Sequence, residues 1–101
     1  MEAGAHVGAH RAAHHAADTK RPLVNRLRRI EGQVRGIAGM VERDVYCDEI
    51  LNQITSVEAA LNGVRRRLLE AHIRSCVVEQ IARGELGVVD ELMETIGRMV
   101  P

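Results

Sequence analysis

VYCDEILNQITSVEAALNGVRRRLLEAHIRSC, residues 45–76, carries apolar side chains at Cys47, Ile50, Ile54, Val57, Leu61, Val64 and Leu68. The steps alternate between three and four, which sets all seven on one face of an α-helix. Past Leu68 the seam drifts onto His72 and Cys76, each four residues on. Residues with high helix propensity flank it, so the spacing predicts one helix from about Val45 to about Arg83, stopping near Gly84. Such a helix is roughly 58 Å long, more than the core of a small monomer can cover. Two chains must then supply each other's apolar face, and an oligomer built on a four-helix bundle is expected.

Upstream, Leu23, Leu27, Ile30, Val34, Ile37 and Val41 repeat the same heptad spacing and predict a helix over about 20–43. Asp18 or Thr19 is expected to cap it, with Pro22 in its first turn. Gly32, Gly36 and Gly39 weaken this helix by about 1 kcal/mol each relative to alanine, tolerable where another helix packs closely. Downstream, Val88, Val89, Leu92, Met93, Ile96 and Met99 predict a short third helix. Residues 1–18 show no apolar periodicity and hold His6, His10, His14 and His15. They are expected to form a mobile tail whose histidines either bind metal or are unselected, ahead of a single helical domain at 19–101.

The composition agrees with an all-α chain of three helices. Of 101 residues, 46% are hydrophobic, yet Tyr46 is the sole aromatic, which argues against a β-sandwich or barrel. No apolar run approaches the roughly 20 residues of a membrane span, and residues 1–18 lack a secretory core. A cytoplasmic protein without a membrane partner is expected. Its two cysteines are too few for a disulfide framework and suit thiols or metal ligands.

A net charge of zero conceals segregation. Lys20, Arg21, Arg26, Arg28, Arg29 and Arg35 face only Glu31 within 19–36, and Arg65, Arg66 and Arg67 form a second basic run. Guanidinium forks suit phosphate oxygens, and an oligomer repeats the stripe. With neither a helix-turn-helix signature nor an aromatic platform, the expected partner is duplex DNA gripped through backbone and shape.

Cys47, His72 and Cys76 carry the chemistry. His72 and Cys76, at i and i+4, leave one helix face together and can reach one metal ion. Cys47 lies about 37 Å away along a continuous helix. Either the chain turns back at Asn62-Gly63 to close the site, or two antiparallel helices about a dyad near 60–62 bring Cys47 of one chain to His72 and Cys76 of the other. The unbroken phase of the seam through Asn62-Gly63 favours the dimer. Two thiolates and an imidazole form a soft set suited to Cu(I), whereas Zn(II) would want a fourth ligand. An enzyme is not expected, since no phosphate-binding loop or oxyanion element accompanies the Cys–His pair, and no small-molecule substrate is implied. Rival classes are a metal-storage protein, which would not retain DNA, and a structural helical dimer, which would bind neither metal nor DNA.

RLRRIEGQVRG (Arg26–Gly36), DVYCDEILNQI (Asp44–Ile54) and LLEAHIRSCV (Leu68–Val77) together resemble the copper-sensing operon repressor (CsoR) family of bacterial regulators over residues 19–99. The resemblance implies an antiparallel dimer, paired into a homotetramer, that represses copper-export genes and leaves operator DNA when Cu(I) binds. It puts the family's Cys-His-Cys ligands on Cys47, His72 and Cys76, and the tyrosine and glutamate of its outer shell on Tyr46 and Glu91. Arg26 matches one of its DNA-contact arginines. Another basic position of the family falls on Gly63, with Arg65, Arg66 and Arg67 just beyond. Nickel- and cobalt-sensing branches add an N-terminal histidine, and His15 stands at that spacing, so an alternative Ni(II) or Co(II) response follows. Cys76 argues against the formaldehyde-sensing branch and His72 against the persulfide-sensing branch.

Overall fold

A computed structural model of the chain describes residues 17–99. Every element among them is helical: α1 (Ala17–Glu42), α2 (Cys47–His72), a π-helical turn (Ile73–Val77), α3 (Val78–Ala82) and α4 (Gly87–Met99). The described residues form two compact units, 17–70 and 71–99. The tail expected at 1–18 lies outside them up to residue 16, but Ala17 and Asp18 already belong to α1. Neither Asp18 nor Thr19 is therefore the cap. Pro22 sits inside the helix, beyond its first turn, and its missing N–H leaves the Asp18 carbonyl without its usual donor. Asp18 is exposed, so water can replace that bond.

In the first unit, a four-residue connection folds α2 back along α1, and Leu23 and Ile30 form a buried cluster with Val57 and Val64. Ile37 and Ala60 pack against it. The heptad seams thus divide. Every second seam position of α1 turns to α2, while Leu27, Val34 and Val41 between them stay 43%, 51% and 57% exposed. On α2, Ile54, Leu61 and Leu68 remain exposed in the same alternation. Two helices meet along one line, and a stripe as wide as this one reaches beyond it. Nor, among the described residues of one protomer, does another helix come within 4 Å of where a Cβ on the α1 glycines would lie. Among the described residues, a Cβ at Gly36 would meet nothing within 4 Å, and at Gly32 and Gly39 only arginine side chains nearby in sequence.

α1 ends in a Schellman motif. The Val45 N–H reaches the Met40 carbonyl at 3.0 Å and the Asp44 N–H the Val41 carbonyl at 3.2 Å. Asp44 occupies the left-handed position, with φ 55°. Aspartate tolerates that region far better than a β-branched residue. Asp44→Val is expected to cost about 1–2 kcal/mol in urea denaturation at fixed protein concentration, with Asp44→Gly near wild type.

In the second unit, α4 packs on α3 and on the π turn. Val77 and Val88, each 2% exposed, are its most buried residues. α3 ends as expected at Gly84, with φ 81° and a second pair of Schellman bonds, Glu85 N–H to Gln80 O and Gly84 N–H to Ile81 O. Arg83 bonds Glu79 at 2.9 Å and lies 3.5 Å from Glu85. The Glu79 hydrogen bond, followed by the charge of Glu85, holds the Arg83 proton more firmly than usual.

Candidate metal centre and nucleic-acid interface

The turn after Asp44 delivers Tyr46 and Cys47 to the start of α2. The Tyr46 carbonyl accepts the Glu49 N–H at 3.0 Å and the Ile50 N–H at 3.4 Å, which begins the helix. Asp48 and Glu49 in its first turn suit the positive end of the helix dipole. Cys47 is thus the first residue of α2, and its thiol is exposed and free.

α2 then runs without interruption through Asn62 and Gly63 to His72. The turn considered at Asn62-Gly63 is absent, so a 26-residue helix separates Cys47 from His72, about 37 Å along its axis. Among the described residues of one chain, no three His, Cys, Asp or Glu side chains gather closely enough to hold a metal ion.

His72 and Cys76 do stand together in sequence and in one unit, both half-buried. The regular helix predicted there is replaced by the π turn, and the Val78 N–H reaches the Ile73 carbonyl five residues back. Ser75, which the sequence reading passed over, bonds the Ala71 carbonyl through its hydroxyl at 2.6 Å and lies 3.6 Å from Cys76 Sγ. A serine that back-bonds inside a helix competes with backbone hydrogen bonding, and that residue type beside a cysteine was the available signal. Two free thiols and an imidazole fit a soft monovalent ion chemically, although one chain does not assemble them. Tyr46 is exposed before α2, and Glu91 is exposed on α4, where its carbonyl accepts the Thr95 hydroxyl. His15 lies outside the described residues.

The basic residues distribute over two helices. Lys20, Arg21, Arg28, Arg29 and Arg35 are exposed on α1, with Arg26 half-buried, and Arg65, Arg66 and Arg67 are exposed on α2. Shallow depressions lie along α1: Asp18, Arg21, Asn25, Arg26 and Arg29 line one, Lys20, Arg21, Asn25 and Arg28 another. Asn25, also missed from sequence, adds a neutral donor to both. The ion pairs among the described residues engage Arg83 and Arg98, leaving the α1 guanidinium groups outside them.

Comparison with known proteins places these features in context. The family model described as metal-sensitive transcriptional repressor matches residues 19–98. The copper-sensing transcriptional repressor RicR of Mycobacterium tuberculosis is 47% identical over 78 residues, which cover 74% of this chain and 81% of RicR. The crystal structure of the copper-sensing repressor CsoR with Cu(I) from Geobacillus thermodenitrificans NG80-2 is similar with a TM-score of 0.82 at 39% identity, covering 87% of this chain and 93% of that one. The nickel-responsive transcriptional regulator InrS is similar with a TM-score of 0.71 at 37% identity, over 85% and 98% of the two chains.

Proposed function

The chain belongs to the metal-sensitive transcriptional repressor family, and from that premise we propose that it is a Cu(I)-responsive repressor, holding operator DNA when metal-free and leaving it once Cu(I) is bound. Cys47 of one chain and His72 and Cys76 of an antiparallel second chain form the site. The unbroken α2 carries this reading: with Cys47 as its first residue and His72 as its last, an antiparallel copy exchanges the two ends. Similarity to repressors named for copper sensing, one of them in its Cu(I) form, supports the choice of ion.

The exposed alternate seam positions support the assembly. Leu27, Val34 and Val41 on α1 and Leu61 and Leu68 on α2 are open in one protomer, and a second hairpin closes them into a four-helix bundle, two such dimers forming a tetramer. Residues 19–101 act as one metal-sensing and DNA-binding domain in the cytoplasm, without enzymatic activity, and control copper efflux or resistance genes. No helix of the described residues is long and apolar enough to cross a membrane.

Both cysteines would hold the metal through sulfur, each giving up its thiol proton on binding. A bound Cu(I) would be a soft Lewis acid, and Cys47 of one chain with His72 and Cys76 of the other would be the residues to hold it. The His72 nitrogen that is not a ligand would bond toward Tyr46 or Glu91 and so carry occupancy to α4. Release needs only that the metal-loaded protein prefer its weakly binding form, a coupling of about 1–3 kcal/mol. His72→Ala is expected to keep apo DNA binding and much of the Cu(I) affinity while losing release; full release by Cu(I) in that variant would exclude this route.

The direct test is anaerobic fluorescence anisotropy of the protein's own promoter fragment, with Cu(I) or Ni(II) added to parallel samples. Release by Cu(I) is the expected result, and no retention of the fragment at moderate salt would sink the repressor reading. A Ni(II) or Co(II) response is the second reading, favoured by the likeness to nickel-responsive InrS and by His15 as a fourth ligand. Release by Ni(II) at lower free metal would establish it instead.

A further inference from the structure

The π turn, Ile73–Val77, contains Cys76 and, beside it, Ser75, a side chain to which nothing above assigns a role. The Ser75 hydroxyl has a single proton and two lone pairs. Its 2.6 Å contact with the Ala71 carbonyl is short for an O–H···O bond, so the proton lies there. Ser75 Oγ also lies 3.6 Å from Cys76 Sγ; with its one proton engaged by Ala71, the hydroxyl is left as the acceptor and the thiol as the donor. A continuous chain, Cys76 to Ser75 to the Ala71 carbonyl, ties the sulfur to the backbone one turn earlier. At this same turn the helix changes to five-residue bonding, Val78 N–H to Ile73 O. A back-bonding hydroxyl gives the Ala71 carbonyl a donor from a side chain, which loosens its demand on the regular α ladder.

We propose that Ser75 is a positioning residue for Cys76: it holds the π turn and the sulfur rotamer, so that His72 and Cys76 are presented as a preformed pair. The proposal rests on the reading of Cys76 as a ligand. Ordering one donor of a pair before binding removes a cost that would otherwise fall on the metal complex. α4 packs on the π turn, so a change of register there would also be felt in the helix that bears Glu91.

The test uses the full-length, metal-free protein and its Ser75→Ala and Ser75→Thr variants. Scalar coupling through the Val78 N–H···O=C Ile73 bond, measured by NMR, reports the register, and the Hα–Hβ couplings of Cys76 report its rotamer. In Ser75→Ala the coupling is expected to move from Ile73 to Arg74 and the Cys76 rotamer to become averaged. Its Cu(I) affinity, read by competition with a chromophoric chelator, is expected to fall about tenfold. Ser75→Thr, whose hydroxyl can make the same back-bond, is expected to restore all three. A Ser75→Ala protein with unaltered register and rotamer would overturn the proposal at any copper affinity. Wild-type Cu(I) affinity in Cys76→Ser would instead remove the ligand role of Cys76, and with it the purpose assigned to Ser75.

Discussion

Neither Cys47→Ser nor Cys76→Ser protein is expected to bind Cu(I) well, yet the two unfolded and refolded together are expected to recover about a quarter of the wild-type sites. Loss of a thiolate ligand should weaken binding by more than about a hundredfold, since loss of a ligand's supporting partner alone costs 10–100-fold. The recovery follows from symmetry. Half of the mixed dimers carry one chain of each kind. In these, the intact Cys47 comes from the Cys76→Ser chain, and the intact His72 and Cys76 come from the Cys47→Ser chain. One of the two sites is therefore whole and the other lacks both thiols. A site closed within one chain would gain nothing from mixing, because each chain keeps its own defect. Chelator-competition titration of the mixture against the separate variants gives the count, and a silent mixture would exclude the intersubunit site. The unbroken course of α2 through Asn62-Gly63 is the observation behind this expectation.

The second large effect concerns DNA. Arg26→Ala/Arg29→Ala removes two guanidinium groups per protomer from a helix that gains propensity in the exchange, so folding is preserved. A dimer loses four phosphate contacts, and the slope of log affinity against log salt is expected to shrink by about 3 to 4 units. Affinity at moderate salt should fall by about a hundredfold or more, equally for specific and unrelated fragments. Arg83→Ala is the control. That guanidinium is held by Glu79 and Glu85 at the end of α3 and should change neither slope nor affinity. Lost affinity at an unchanged slope would show that the two arginines act through the fold rather than on phosphates. Cu(I) uptake by the double variant should stay at the wild-type level, which separates the DNA surface from the ligand set.

Much of the architecture was legible because helical information is local. The seams at Leu23–Val41 and Cys47–Leu68, the stop at Gly84 and the short helix over Val88–Met99 all appear as expected. The start of α1 was misread. Asp18, Thr19 and Pro22 make a good beginning in isolation, but the helix extends back to Ala17, because an exposed end loses little when one carbonyl turns to water. The turn before Cys47 also rests on a detail that periodicity does not carry, the left-handed Asp44 that closes α1. At the candidate site, the i, i+4 spacing identified His72 and Cys76, while Ser75 went unremarked because a lone serine within a helical pattern has many possible partners.

Ligand type, charge segregation and apolar period are set by neighbours three to seven residues apart, so the sequence alone specifies an all-helical chain with a soft donor set and a basic first helix. Burial is not set that way. Which half of each seam meets the other helix, leaving Leu27, Val34 and Val41 open, follows from the line along which α1 and α2 touch. The π turn is set at both levels: the Ser75 back-bond to Ala71 is local, but the packing around the turn is tertiary. A helix gives up its four-residue ladder where packing favours a different phase, and here Val77 is buried in the unit where α4 packs on that turn. That preference sums over residues distant in the chain, and no local spacing encodes it.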